Sequence, residues 1–450
     1  MNGDLLLDVW LEAYLEPVGQ LFRPRESIGC YFQYSPAHLQ RRYAMPLSLS
    51  LPLREAPYDD PETRAYFDNL LPENDQMQQV MAREGISRDD IVGLMLHFGA
   101  DCAGAVSCLP HGAAPVKIPG SLADDYDALD DADLTELMRR LAAREPLPAG
   151  MGDPSPVAGV QSKIALTEIV PGRYGLPKNA FKVPTTHILK VPRQNEVRDA
   201  RLEVAATRLA AAVGLPVALP ALFELGGQTG LLSQRFDRRV RDGKVYRLHQ
   251  EDFCQALGLP ALLKYQRRGG AGRAFSLAAV NGLLGRTDAP ARNRRLFVLA
   301  TIFNLAIGNN DNHAKNHALL YDRSPVPTLA PLYDLLPVRL AGRYTDELAF
   351  TIGAAERFGD VTRADLAALF AAFGWNKAKA VDRLIQDEIA PLLQTLDEAA
   401  SGLTRLHLKD LDDFLGREIT HLAQQLGLNL VLRPRDYAAP RAGGWGGGIS

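Results

Sequence analysis

Apolar and polar positions divide the 450-residue chain into stretches of different period. Over residues 1–110 the pattern is short and broken. Phe22 to Gln33 and Pro46 to Leu53 read as strand patches, and the second, PLSLSLPL, alternates over a length too short for a helix. Pro61 to Gly85 is helical in character, with Pro72 as an interruption. From 111 to 149 the character shifts. Pro115, Pro119 and Gly120 lead into an acidic run, Asp124 to Asp133, and then a helix through Ala143; the stretch reads as a connector whose acidity is a solvated face.

Residues 150–250 read as β-rich with one helix. Val157 to Leu166 is a turn entering a strand, Thr185 to Val191 a strand, and Asp199 to Val213 a helix stopped by Gly214, with Pro216 just beyond. Leu222 to Leu225 and Leu231 to Phe236 form two strands across the GGQTG turn. Residues 251–430 are mostly helical, including Arg295 to Ile307, Arg363 to Phe373 and Ala378 to Leu393. Residues 431–450, rich in glycine, proline and arginine, read as a disordered tail. A small β-rich lobe followed by a larger helical one suggests a kinase, although other two-lobed enzymes share that coarse order.

Composition narrows the classes. The apolar share of 46% and charged share of 23% are those of a folded soluble protein with a sizeable core. A net charge of −3 argues against binding nucleic acid through bulk positive charge. Cys30, Cys102, Cys108 and Cys254 form no C-x-x-C pair, which fits a reducing cytoplasm rather than a disulfide framework or zinc site. Met1-Asn2-Gly3-Asp4 carries no basic leader, and no 18-residue apolar run predicts a membrane span.

The most informative chemistry lies in Ile302 to Asn316, IFNLAIGNNDNHAKN. Between Leu296 and Ile307 only Thr301 and Asn304 are polar, which predicts a helix buried on all sides. Gly308 ends it and releases Asn309, Asn310, Asp311, Asn312, His313, Lys315 and Asn316. Four residues separate Asp311 from Asn316, the spacing of a catalytic base and a magnesium-binding amide in kinase loops. The pattern is common, and an asparagine-rich turn capping two helices is the plain alternative. Downstream, TLAPLYDL ends a short apolar strand in Asp334, either a second magnesium ligand or the N-cap of the next helix.

Upstream, THILKVP places Lys190 in an apolar strand. Most strand lysines face solvent, but one that binds phosphates needs a carboxylate to fix it. Glu203 meets that need beside the Leu202, Ala206, Leu209, Val213 stripe, and Glu196 competes. Val157-Ala158-Gly159-Val160-Gln161-Ser162-Lys163 is the candidate phosphate loop; with one glycine, a simple turn is the default reading. His313 and His317 have a spacing that would suit one metal ion on a helix, but no third ligand is apparent.

Several further stretches, in order, resemble the HipA family, the kinase half of a bacterial toxin–antitoxin pair. MPLSLSLPLR, YFDNLLPEN and HFGADCAGAV resemble its N-terminal subdomain, VAGVQSKIAL its phosphate loop and THILKVP its lysine strand. QRFDR resembles its hinge, HQEDFCQALG the start of its large lobe, and IGNNDNHAKN with LAPLYDLLP its active site. The resemblance, from about residue 40 to 430, implies an α+β, two-lobed kinase-like fold behind a mixed N-terminal subdomain.

It also implies a serine/threonine kinase using ATP and Mg2+. Lys190 would take the α and β phosphates, Asp311 would be the base, and Asn316 and Asp334 would bind magnesium. His313 and Tyr333 would lie near the nucleotide, with adenine on the Gln234, Arg235 and Phe236 backbone and phosphates on Ala158 to Lys163. Many relatives have a glutamate where Gln234 stands. Many also carry an autophosphorylated serine where this chain has Pro156; Ser155 or Ser162 would have to substitute. The partners implied are an aminoacyl-tRNA synthetase as substrate and a HipB-like helix-turn-helix antitoxin that carries the chain to operator DNA. The rival is an inactive nucleotide-binding corepressor acting with that antitoxin; a metal hydrolase built on the two histidines is a third reading.

Overall fold

The computed structural model describes residues 4–12, 14–72, 75–145, 147, 162–178, 182–322, 324–341 and 346–437. The first unit is an antiparallel sheet of β1 (Leu5–Leu11), β2 (Gly19–Arg23), β3 (Tyr31–Tyr34) and β4 (Val106–Pro110), in the order β3-β2-β1-β4. Helices α1 (Pro36–Leu39), α2 (Asp60–Phe67), α3 (Asp75–Glu84) and α4 (Ile91–Phe98) accompany it. Asp59 and Glu62 form a capping box that starts α2, and Pro72 falls in the break before α3. Leu7, Phe32, Tyr66, Phe67 and Met95 meet in one core.

Pro46 to Leu53 forms no strand, which corrects the expectation from its alternation. Its leucines do alternate, but between two cores. Leu47 and Leu51 enter the first unit's core, and Leu49 enters that of the large lobe. The polar groups follow the second lobe: the Leu49 N–H donates to Glu251 Oε1 (3.0 Å), and the Ser50 hydroxyl to the Gln255 carbonyl (2.6 Å).

The small lobe comprises β5 (Gly120–Ser121), β6 (Tyr126–Ala128), α5 (Asp131–Ala143), β7 (Lys163–Val170), β8 (Arg173–Pro177) and β9 (His187–Lys190). It continues with α6 (Val197–Ala212), β10 (Pro220–Leu225), β11 (Gln228–Gln234), β12 (Arg238–Arg241) and β13 (Lys244–Arg247). Six strands form one antiparallel sheet, β10-β11-β9-β7-β8-β6. Residues 120–143, expected as a connector, are built into this lobe. β6 pairs with β8, and α5 packs Leu134, Leu137 and Met138 against Ile164 and Leu189. Part of the acidic run is turn chemistry: Asp125 takes the Ser121 N–H (2.7 Å), and Asp130 N-caps α5 through the Asp133 N–H (2.8 Å).

The large lobe begins with β14 (His249–Asp252), α7 (Phe253–Leu257), α8 (Leu277–Leu284) and α9 (Pro290–Ile307). β15 (Ala318–Tyr321), β16 (Thr328–Leu329), α10 (Val338–Ala341), β17 (Glu347–Ile352) and β18 (Ala355–Arg357) follow. Helices α11 (Arg363–Ala372), α12 (Ala378–Leu384), α13 (Ala390–Ala399) and α14 (Lys409–Leu426) complete it. Every residue of α9 from Phe297 to Ile307 is buried, as its sequence predicts.

The stretch from Arg433 to Tyr437, expected to be disordered, is held. Arg433 and Arg435 reach Asp397 and Asp412, whose side chains are buried and need cations. Residues 438–450 lie outside the described residues. No described helix is long and apolar enough to cross a membrane.

Glu251, fully buried, ties the first unit to the large lobe by accepting from Ser48, the Leu49 N–H and Tyr321. Burial raises its carboxyl to about 7, against the lowering effect of those hydrogen bonds. A carboxyl raised above its unfolded value favours folding at low pH, and that contribution fades as pH rises through the folded value. Relative to wild type, Glu251→Gln should therefore gain stability between pH 5 and 8, by roughly 3 kcal/mol at most. Parallel unfolding curves across that range would refute this.

Candidate active site

Helix α9 carries the site at its C-terminal end. Gly308 adopts φ +73°, and a Cβ there would lie 2.6 Å from the Phe414 ring, so both backbone and space require glycine. Of the polar residues that follow, two are scaffold. Asn309 donates to Asn304 Oδ1 (2.9 Å), and Asn310 Nδ2 donates to the Glu347 carbonyl (3.0 Å). The asparagine-rich turn is thus partly the structural turn of the plain alternative.

Asp311 and Asn316 are locked together by the loop itself. Asn316 Nδ2 donates to the Asp311 carbonyl (3.0 Å), as does the His313 N–H (2.9 Å). The Asn316 amide therefore spends an N–H on the backbone, and its oxygen is the end left to offer a cation. His313 stands edge-on to Tyr265, ring centroids 5.2 Å apart, and burial lowers its pKa against the opposite pull of Asp311.

On β9, Lys190 Nζ sits 3.0 Å from Glu203 Oε1 and also bonds Asp334. Burial opposes the lysine's charge, but Asp334 and Glu203 overcome that and hold the ammonium well above its ordinary value. Burial pushes Asp334 up, and Lys190 reverses this to about 2; Glu203 stays raised by its burial. Glu196, the competing partner, instead lies 3.7 Å from Arg144 and accepts the Arg193 N–H. Asp334 is not the N-cap of α10, which begins only at Val338. It sits at φ +54°, a conformation costly for a non-glycine residue and typical of functional positions.

Lys163 pairs directly with Lys190 in the β7–β9 ladder, so both side chains share one face of the sheet. The Ser162 carbonyl accepts the Val191 N–H (2.9 Å). Ser155, Ala158, Gly159, Val160 and Gln161 lie outside the described residues. At the hinge, Gln234 pairs with His187 at the end of β11. Phe236 stacks on Tyr333 at 5.5 Å, and the Tyr333 hydroxyl donates to the Lys315 carbonyl (2.8 Å). Arg235 donates its N–H to the Thr186 carbonyl (2.9 Å) and its guanidinium to Asp237 (2.9 Å). That N–H is not available to a nucleotide.

His317 does not join His313 at a metal. Its ring packs among Phe253, Phe275 and Phe297, and burial lowers it to about 3. No cluster of three or more potential metal-ligating His, Cys, Asp or Glu side chains occurs among the described residues.

Two parts of the site were not legible in sequence. The Tyr265 hydroxyl donates to Asp311 Oδ1 (2.7 Å), although the two residues are far apart in the chain. Lys315 donates to Asp252 Oδ2 (2.9 Å) and to Asn69 Oδ1 (3.1 Å), tying the loop to α7's N-cap and to the first unit. The basic, aromatic stretch LKYQRR is the one signal in the sequence that points toward the first, and nothing marks the second.

Residues 155–399 match the family model of the HipA-like C-terminal domain, and residues 7–109 that of the HipA N-terminal domain. The chain belongs to the HipA family. It is 38% identical over 352 residues to the putative kinase Y4mE of Sinorhizobium fredii, covering 77% of this chain and 81% of that one. It is 30% identical over 323 residues to the serine/threonine-protein kinase toxin HipA of Shewanella oneidensis, covering 68% and 70%. Among solved structures, a chain of the Shewanella oneidensis HipA, HipB and operator DNA complex superposes with a TM-score of 0.73 at 24% identity. That match covers 94% of this chain and 98% of the other. This HipA-family chain therefore has the α+β, two-lobed fold of that group of kinases.

Proposed function

We propose that this protein is a toxin serine/threonine kinase that moves the γ-phosphoryl group of ATP to a host protein hydroxyl. The observation that carries the reading is the Lys190–Glu203–Asp334 cluster set in the same fold as the Asp311–Asn316 loop. Lys190 would neutralise the α and β phosphates, held by Glu203 in the manner of the kinase lysine–glutamate pair. The Asp334 carboxylate and Asn316 oxygen are hard donors that suit magnesium, which when bound neutralises phosphate charge. Asp311 accepts the proton of the acceptor hydroxyl as that oxygen bonds the γ-phosphorus and the bond to the ADP oxygen breaks. His313, Tyr333 and the Gln234–Phe236 segment would frame the nucleotide, and Ala158 to Lys163 would cover its phosphates.

The biological reading is that the acceptor is an aminoacyl-tRNA synthetase, whose modification slows translation. A HipB-like helix-turn-helix antitoxin would hold the kinase in check and bring it to operator DNA. Support comes from the toxin named in Shewanella and from the fold shared with its HipA–HipB–DNA complex. The test is label transfer from γ-labelled ATP with magnesium to a panel of synthetases. A labelled synthetase is the expected result; ATP binding without label would favour the corepressor reading. Phosphopeptide mapping on the same samples checks self-modification, with Ser155 and Ser162 as the expected positions.

Tyr265→Phe should lower kcat for transfer by about tenfold, the worth of one hydrogen bond to a charged group, and leave the KM for ATP unchanged. An unchanged kcat would show that the hydroxyl does not orient the base.

A further inference from the structure

The segment that carries Tyr265 is basic and holds no carboxylate. Residues 253–287 contain Lys264, Arg267, Arg268, Arg273 and Arg286 and no aspartate or glutamate, in a chain of net charge −3. Two of these cations are spent locally. Arg267 pairs with Glu347 (3.1 Å), and Arg286 donates to the Leu49 carbonyl (2.6 Å). Arg268 and Arg273 are exposed and pair with no carboxylate among the described residues. The Arg268 guanidinium lies 5.6 Å from the centre of the Tyr265 ring, whose hydroxyl is 2.7 Å from Asp311. Unpaired positive charge thus stands about one side chain from the base.

The element that presents it is rigid at its root. Gln266 donates to Thr351 Oγ1 (2.9 Å) and accepts the Thr351 N–H (3.0 Å), and the Lys264 carbonyl accepts the Ala314 N–H (3.1 Å) of the catalytic loop. Gly270 and Arg273 bridge each other in a tight antiparallel turn, with Gly272 at φ +76°. A Cβ on Gly269 would lie 2.5 Å from the Arg273 carbonyl, so the turn closes only with glycine there.

We propose that the Gln266–Arg273 hairpin selects the acceptor: a serine or threonine in an acidic stretch of polypeptide, its neighbouring carboxylates on Arg268 and Arg273 and its hydroxyl at Asp311. Guanidinium groups match carboxylates in planar, paired hydrogen bonds. Two unpaired arginines on one hairpin suit one or two acidic side chains, whereas a nucleic-acid backbone calls for a longer cationic track. This inference rests on Asp311 as the base that receives the acceptor.

Labelled peptides with one central serine flanked by Asp/Glu, by Asn/Gln or by Lys separate the cases. Binding to the full chain is read by anisotropy with magnesium and ATP analogue present, and phosphate transfer is read in parallel. The acidic peptide should bind about tenfold tighter than the neutral one and lose that margin in R268A/R273A. Charge reversal, R268E/R273E, should turn the preference toward the Lys-flanked peptide while the KM for ATP stays unchanged. Equal binding of all three peptides, or a preference that survives charge reversal, overturns the proposal. An RNA oligonucleotide that displaces the acidic peptide at lower concentration overturns the peptide class. A binding preference without transfer to any acceptor would instead count against the kinase reading alone.

Discussion

Asp311→Ala should lower kcat for phosphate transfer by about 10²–10⁴-fold, while ATP binding should stay within about twofold of wild type. The split follows from how the loop is held. Asn316 Nδ2 and the His313 N–H bond the main-chain carbonyl of residue 311, which alanine retains. The substitution therefore removes the base and leaves the loop's own hydrogen bonds, with Tyr265 losing one acceptor. Lys190 is a poorer target for the same question. Its loss would leave Asp334 and Glu203 without their shared cation, so binding, stability and chemistry would fall together. Titration calorimetry with magnesium and ATP, beside a γ-phosphate transfer assay, checks both halves. Transfer undiminished in Asp311→Ala would remove Asp311 from the mechanism.

Arg247→Ala should lower stability by about 3–5 kcal/mol, the cost of stripping one partner from a buried charge cluster. Arg247 ends β13 with 1% of its side chain exposed. It donates from Nη1 to Glu12 (2.7 Å) and lies 3.6 Å from Asp101, both 4% exposed. Its main-chain N–H also donates to Glu12 (3.0 Å). Lys117, 3.1 Å from Asp101, shares the cluster, and burial lowers it to about 8 despite the attraction of Asp101. Lys117 stays paired with Asp101, so Glu12 is the carboxylate that loses its cation. Because Glu12 and Asp101 belong to the first unit, the first event on heating should be release of that unit from the small lobe. Denaturant unfolding gives the loss in stability, and hydrogen exchange along β1 and β4 locates it. A stability within 1 kcal/mol of wild type would mean that water reaches Glu12 and Asp101 without cost.

Local patterns were readable where one stretch carries its own reason. The all-round apolar run of α9 and the glycine that stops it needed no partner to be seen. Pro72 and Gly214 mark breaks through backbone chemistry alone, and Gly226 and Gly227, both at positive φ, close the β10–β11 hairpin. The apolar stripe on α6 singled out Glu203 as one of two candidates because helix geometry places it on the packed face.

Where the reason lay elsewhere in the chain, the pattern misled. Pro46 to Leu53 alternates like a strand because its leucines serve two cores, and only Glu251 and Gln255 of the large lobe show that its polar groups need no ladder. The acidic run at 124–133 looked like solvated linker because its work as caps and turns is shared with many unstructured segments. Arg433 and Arg435 looked like tail residues because Asp397 and Asp412, which hold them, are not their neighbours in sequence.

By itself, then, the sequence determined the buried helix, the loop chemistry at its end, the lysine in its strand and the membership that those motifs share, since each depends on residues close together. The tertiary structure decided which carboxylate meets Lys190, that Tyr265 reaches Asp311, and that Lys315 binds the first unit to the loop. Those are long-range meetings of charged and polar side chains. Their partners are chosen by how the two lobes pack, and periodicity along the chain carries no record of that choice.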